Sequence, residues 1–319
     1  MSDQKRLFLV DAYALIFRGY YAFIKNPRIN SKGEDTSAIM GFMNSLLDVI
    51  KRERPDHLAV CFDKGGSVDR VEMYEEYKAN RDETPEGIKT AIPHIYNILK
   101  AMHIPIMVKE GYEADDVIGT LSTKARDAGH EVRIVTGDKD MMQIVTDRIC
   151  LLDTMKDKIS GPAEVFERFG GADKVVEVQA LSGDSSDNVP GVPGIGEKTA
   201  KALIDEYGDI ETLLASLDQL KGKRRENLEN FADQARLSKR LVTLVDDLEL
   251  DVDDTAFVLT APDLQAVFEA EGPERIWRRD RDFAAENGRV AVGGRVLDVR
   301  TPGGRLDELY LPVHGAHQG

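Results

Sequence analysis

Four short apolar runs, separated by helical stretches, restrict this chain to one class of fold. Residues 6–10 (RLFLV) stop at Asp11, and a helical pattern follows through Phe23. Residues 57–62 (HLAVCF) end on Asp63, residues 104–108 lead into Glu110 and Gly111, and residues 132–135 lead into Thr136-Gly137-Asp138-Lys139-Asp140. A short apolar run between helical segments reads as a strand buried on both faces, as in a parallel sheet. Between the first two runs, residues 36–52 carry Ile39, Met40, Phe42, Met43, Leu46, Leu47 and Ile50 on one helical side. This β-α-β alternation predicts an α/β fold, a mostly parallel central sheet with flanking helices. Ligands of open α/β sheets sit at the carboxyl ends of the strands. Here those ends carry Asp11, Asp63, Asp138 and Asp140.

The 319 residues, 42% hydrophobic, suffice for one large domain or two smaller ones. A net charge of −15 argues at first for an acidic enzyme of small metabolites, because nucleic-acid binders are usually basic. Net charge averages over faces, however, and acids gathered at a metal site leave basic residues free to line another surface. Cys61 and Cys150 lie in apolar surroundings and read as buried, reduced thiols. The N-terminal apolar run is too short for a signal peptide and no window approaches a membrane span, which predicts a soluble, cytoplasmic protein.

Between the second and third runs lies a polar excursion, residues 64–93. Residues 70–81 within it are helix-compatible, with Tyr74, Tyr77 and Lys78 on one side and Arg81 a turn further on. Long excursions in compact domains are commonly functional. From Glu113 a helix begins with Glu113, Asp115 and Asp116 in its first turn, where acids also complement the helix dipole. After Leu151 the pattern changes to short helices and turns, among them residues 166–169, 175–181 and 200–207. A basic cluster, Lys221-Gly222-Lys223-Arg224-Arg225, opens a helix running to about Val245. Residues 264–271 read as one more helix, ahead of a Gly-rich tail, and no internal repeat is present.

The stretch 183–201, GDSSDNVPGVPGIGEKTAK, adds Asp184 and Asp187 to the acids. The nine carboxylates, Asp11, Asp63, Glu113, Asp115, Asp116, Asp138, Asp140, Asp184 and Asp187, cannot stay ionised together without counter-charge. Oxygen-only donors point to two hard cations, Mg²⁺ or Mn²⁺, and disfavour zinc. Two such ions about 4 Å apart activate water and stabilise the leaving oxygen of a phosphodiester. The second half of the stretch is a helix-hairpin-helix pattern. Gly191, Gly194 and Gly196 offer backbone N–H groups to phosphate, Ile195 packs inward, and Lys198, Thr199 and Lys201 open the following helix.

LVDAY, VCFD, YKANR, EADD, TGDKD and GDSSDNVPGVPGIGEKTA follow one another in the order found in the 5′-nuclease domain of bacterial DNA polymerase I. Over about residues 5–250 the chain therefore resembles the flap endonuclease family. That resemblance implies a divalent-metal-dependent 5′→3′ exonuclease that also cuts 5′ flaps, leaves 5′-phosphate ends, and serves primer removal and repair. It assigns Asp11, Asp63, Glu113, Asp115 and Asp116 to a first metal and Asp138, Asp140, Asp184 and Asp187 to a second. It makes residues 64–93 a helical arch, with Lys78 and Arg81 on the scissile phosphate and Arg70, Tyr74 and Tyr77 near the strand; the tyrosines equally suit packing. It also implies K⁺ at the hairpin, flapped, nicked or branched duplex DNA and RNA primers as substrates, a monomer, and a DNA polymerase acting alongside.

The expected division is a nuclease domain over 1–170, a helix-hairpin-helix subdomain over 171–282 and a tail over 283–319. Two departures stand out. Asp69-Arg70, after Val68, replaces the family's Phe-Arg, and the polymerase and proofreading regions are absent, which suits a stand-alone nuclease or a truncated chain. Two rivals are an inactive DNA-binding module, which would have lost acids, and a smaller RNA-directed nuclease, which would lack arch and hairpin.

Overall fold

The computed structural model describes residues 5–30, 32–252 and 254–260, together with three later strands, Arg289–Val292, Arg295–Asp298 and Tyr310–Leu311. It divides into two compact units, Met1–Phe62 with Thr84–Met107 and Asp251–Gly319, and Asp63–Glu83 with Val108–Leu250. The architecture is mixed α/β with mostly parallel strands.

In the first unit, strand Arg6–Asp11 pairs in parallel with His57–Cys61, Leu7 opposite His57 and Asp11 opposite Cys61. The second strand pairs in parallel with Ile106–Met107. Phe8, Leu9, Val10, Leu58, Ala59 and Val60 are buried, the signature of strands covered on both faces. Helices Ala12–Phe23 and Ser37–Glu53 cross where Gly19 meets Gly41, and a Cβ on Gly19 would stand 2.8 Å from the Gly41 Cα. Only two glycines allow so close a crossing.

Helix Glu86–Ala101 buries Ile88, Ala91, Ile95, Ile98 and Leu99, so the polar excursion ends before residue 93. The polar first turn and the internal Pro93 had hidden that stripe.

In the second unit, strand Glu131–Val135 pairs in parallel with Ile149–Asp153, which pairs antiparallel with Lys158–Ser160. The last two strands were not read from sequence. Their turn carries no glycine; Asp157 itself takes a positive φ of 51°. Helices Ala114–Asp127, Pro162–Phe169, Ala172–Ser182, Glu197–Tyr207, Ile210–Ala215, Gly222–Asn230 and Ala232–Val242 complete this unit with the short Val68–Met73. The single helix expected from Lys221 to Val245 is two, because Phe231 leaves helical geometry at φ −116°, ψ 22°. The helix expected over 264–271 lies outside the described residues. The three later strands form an antiparallel sheet. Among the described residues, no helix is long and apolar enough to cross a membrane.

Candidate active site

The acids of the second unit are placed by helix ends. Glu113 caps Ala114–Asp127 in a capping box with Asp116, and the Asp63 carboxylate accepts the Ala114 N–H at 2.5 Å. Burial, opposed by that bond and reinforced by the Glu113 charge, raises the Asp63 carboxyl. Asp116 is fully buried. One of its oxygens accepts from Arg70 Nη2 at 2.7 Å and Val245 N at 3.0 Å; the other accepts from Arg70 Nη1 at 2.8 Å and Glu113 N at 3.3 Å. Four bonds fill a carboxylate, so every acceptor position of Asp116 is taken by a protein donor in this structure.

Arg70 is buried with it. Only 4% exposed, it gives Nε to the Leu241 carbonyl at 2.9 Å, Nη2 to the Thr243 carbonyl at 2.9 Å and Nη1 to Glu113 at 3.3 Å. With Asp116, these groups take all its donors.

The helix expected over 70–81 stops at Met73, and residues 75–80 form turns folded against the loop 184–188. Lys78 N donates to the Asp187 carbonyl at 2.9 Å, Asn80 Nδ2 to that of Ser185 at 2.7 Å, and Asn188 Nδ2 to that of Glu76 at 2.6 Å. These clamps hold Lys78 at φ 57°, a left-handed conformation that non-glycine residues adopt at a cost. Its Nζ lies 2.6 Å from Glu113 and 3.4 Å from Asp187, and Arg81 lies 2.5 Å from Asp187. Tyr77 is buried with Val189, Leu241 and Val242, and its hydroxyl donates to Glu113 at 3.1 Å. It is a packing residue, and half-buried Tyr74 packs on the same cluster.

Asp138, Asp140 and Asp184 complete this side. Asp140 N donates to Asp138 at 2.9 Å, and the Gln179 amide donates to the Asp140 carboxylate. Lost solvation, then the charges of Asp138 and Asp184, push the Asp140 carboxyl up to about 7. Asp138, although the residue is exposed, is raised by lost solvation and by Asp187 and Asp184. At Asp184 burial acts upward, but Lys139 at 2.7 Å and the Ser186 N–H outweigh it and lower the carboxyl.

Asp115 lines a small hollow with Glu113, Asp140 and Asp187. Asp11 belongs to the other unit, where it caps Ala12–Phe23 by accepting from Ala14 N at 3.0 Å. Among the described residues no three acidic, His or Cys side chains are arranged to hold an ion as they stand. They are turned instead onto Lys78, Arg81, Lys139 and Arg70. The donor set fits a hard cation all the same: it is oxygen-only, and its raised members are those a cation would relieve.

Beyond Asp184, which bridges to Val189, the chain turns through Gly191 at φ 61°. Gly191 N donates to the buried Ser238 hydroxyl at 3.0 Å, and Gln234 donates to the Gly191 carbonyl at 2.6 Å. A Cβ there would lie 2.6 Å from the Ser182 carbonyl carbon. Gly191→Ala should therefore cost about 2 kcal/mol or more, from the left-handed strain plus the clash, read as a lower urea midpoint.

Ile195 is buried as expected, whereas Gly194, Gly196 and Lys198 are exposed. Thr199 N closes the first helical turn onto the Gly196 carbonyl, and Lys201 pairs with Asp205 at 2.5 Å. Sequence reasoning missed Lys139, Gln179, Gln234 and Ser238. Lys139 stands inside TGDKD, but the other three follow no local spacing rule.

The model of the 5′-3′ exonuclease N-terminal resolvase-like domain matches residues 6–170, and that of the 5′-3′ exonuclease C-terminal SAM fold matches residues 171–265. The chain is similar to DNA polymerase I of Rhizobium leguminosarum, 41% identical over 81% of this chain and 26% of that protein. It is also similar to the 5′-3′ exonuclease of Aquifex aeolicus, 36% identical over 82% of this chain and 89% of that one. It thus spans between a quarter and a third of the DNA polymerase I relatives. Among solved structures, the phage T5 5′-exonuclease with bound divalent metal ions (zinc) superposes with a TM-score of 0.62 at 25% identity, covering 76% of this chain and 90% of that one. The catalytic core of Rad2 in complex with DNA substrate superposes at 0.58 with 20% identity, covering 86% and 88%.

Proposed function

Because the chain belongs to the 5′-3′ exonuclease family, we propose that it hydrolyses phosphodiesters at 5′ ends and 5′ flaps of duplex DNA, in primer removal and repair. The observation that carries this reading is the meeting of Glu113 and Asp187 with Lys78 and Arg81. Cations fixed beside a carboxylate cluster suit a phosphate that arrives together with divalent ions.

Asp63, Glu113, Asp115, Asp138, Asp140, Asp184 and Asp187 would hold those ions, Mg²⁺ or Mn²⁺; the family resemblance adds Asp11 to the set. When bound, the ions supply a water nucleophile near neutral pH and neutralise charge on the leaving oxygen. Lys78 and Arg81 then exchange carboxylates for phosphate oxygens and steady the charge that develops there. Gly194, Gly196 and Lys198 hold duplex backbone, K⁺ sits at that hairpin, and Arg70 and Asp116 keep the acid side in place without touching substrate.

Flapped, nicked or branched duplex is the DNA substrate we favour, with RNA primers on DNA as a further one. A cytoplasmic monomer working alongside a DNA polymerase, and segments 1–170, 171–282 and 283–319, belong to the same reading. A labelled 5′-flap duplex should be cut in Mg²⁺ or Mn²⁺ and stay intact in EDTA. Robust cutting in EDTA would overturn the metal-dependent reading.

A further inference from the structure

The basic cluster at the start of Gly222–Asn230 has no role in the site described above. Lys221, Lys223, Arg224 and Arg225 are all exposed, Lys223 with 74% of its side chain in solvent. Several cations elsewhere in this unit are neutralised: Lys139 on Asp184, Arg168 on Glu197, Lys201 on Asp205, Arg236 on Glu211, Lys239 on Glu177. In the cluster only Lys223 has an ion pair among the described residues, to Glu226 at 3.1 Å. A chain with 57 acids and 42 Lys and Arg has carboxylates to spare, yet Lys221, Arg224 and Arg225 lack an ion pair among the described residues. Neighbouring like charges repel, and a polyanion relieves them.

The same helix is fixed against the hairpin. Asn227 Nδ2 donates to the Pro193 carbonyl at 2.7 Å, and buried Leu228 anchors the helix below. Lys223 and Arg224 stand one turn before Asn227 on its side of the helix. That places them about 5 Å along the helix from the hairpin contact, and Gly194, Gly196 and Lys198, which follow Pro193, are exposed as well.

We propose that Lys223, Arg224 and Arg225 form a second backbone-binding surface, which extends the duplex grip of the hairpin by further phosphates and reads no base sequence. This rests on the DNA-binding reading above. The test is fluorescence anisotropy of full-length protein on a blunt duplex in Ca²⁺ at several salt concentrations. Each phosphate contact contributes about 0.9 to the slope of log K against log salt. Lys223→Gln/Arg224→Gln/Arg225→Gln should lower that slope by about 2–3 and weaken binding roughly 10-fold or more at low salt. Arg224→Lys/Arg225→Lys should keep the slope, which separates charge from side-chain shape.

If the wild type binds duplex with a salt-dependent slope and the Gln variant keeps that slope, the second surface is overturned while the function stands. If the wild type binds no duplex, the DNA-binding reading falls first and the surface falls with it.

Discussion

Arg70→Ala is expected to destabilise the protein by about 3–5 kcal/mol, the cost of leaving a buried charge without its partner. The loss falls on three sides at once. Asp116, fully buried, loses both guanidinium bonds, and the Leu241 and Thr243 carbonyls lose their side-chain donor. Arg70→Lys should recover little, since one ammonium cannot span Asp116, Leu241 and Thr243 together. Arg70→Met with Asp116→Leu should be milder than Arg70→Ala alone, because removing both charges leaves no unpaired buried charge, only the neutral Leu241 and Thr243 carbonyls and Val245 and Glu113 N–H groups. Urea unfolding of the four proteins reads this directly. Equal destabilisation of Arg70→Ala and the double variant would show that packing at this spot, and not the charge pair, carries the stability.

Asp140→Asn is expected to remove nearly all nuclease activity, by at least about 10²-fold, while making the metal-free protein more stable at pH 8. The Asp140 carboxyl sits at about 7 in the folded chain against 3.8 when unperturbed. The folded state therefore holds the proton more tightly than the unfolded chain. Between those two values, rising pH strips the unfolded state first, and folding is penalised increasingly until about pH 7, above which the full penalty remains. Asparagine carries no charge and keeps an oxygen for the Gln179 amide. Its advantage should thus be greatest above pH 7 and fade toward pH 4. About 1 kcal/mol moves the midpoint by ~2–4 °C in a chain of this size, so a rise of several degrees is expected in EDTA. Added Mg²⁺ should raise the wild type more than the variant. A variant no more stable than wild type at pH 8 in EDTA would mean that Asp140 is not strained by its neighbours.

How much of this could be read beforehand follows from the range of the interactions. Asp11 and Asp63 were visible because a buried strand writes an unbroken apolar run and the acid marks its end. Gly191 and Ile195 were visible because a tight turn between helices demands glycine and an inward apolar residue. The burial of Arg70 was not legible because its partners, Glu113, Asp116, Leu241 and Thr243, lie far along the chain, and a lone arginine in a polar stretch resembles any surface cation. Residues 74–81 have helical propensity, but Lys78 and Asn80 gain more from the 185–187 backbone than a helix would return. Strand Ile149–Asp153 passed unread because its four apolar residues followed a region already assigned.

The cage around Arg70 and Asp116 also has a direction in time. Its acids and guanidinium lie within the first 116 residues, yet it closes on the Leu241 and Thr243 carbonyls and the Val245 N–H. A chain emerging from the ribosome carries every one of the nine carboxylates by residue 187, long before it carries that closure. Contacts of such long sequence separation form late, after the loops between them have been ordered. The cage that braces the acid side therefore cannot close before residues 241–245 are available, however early the acids themselves appear.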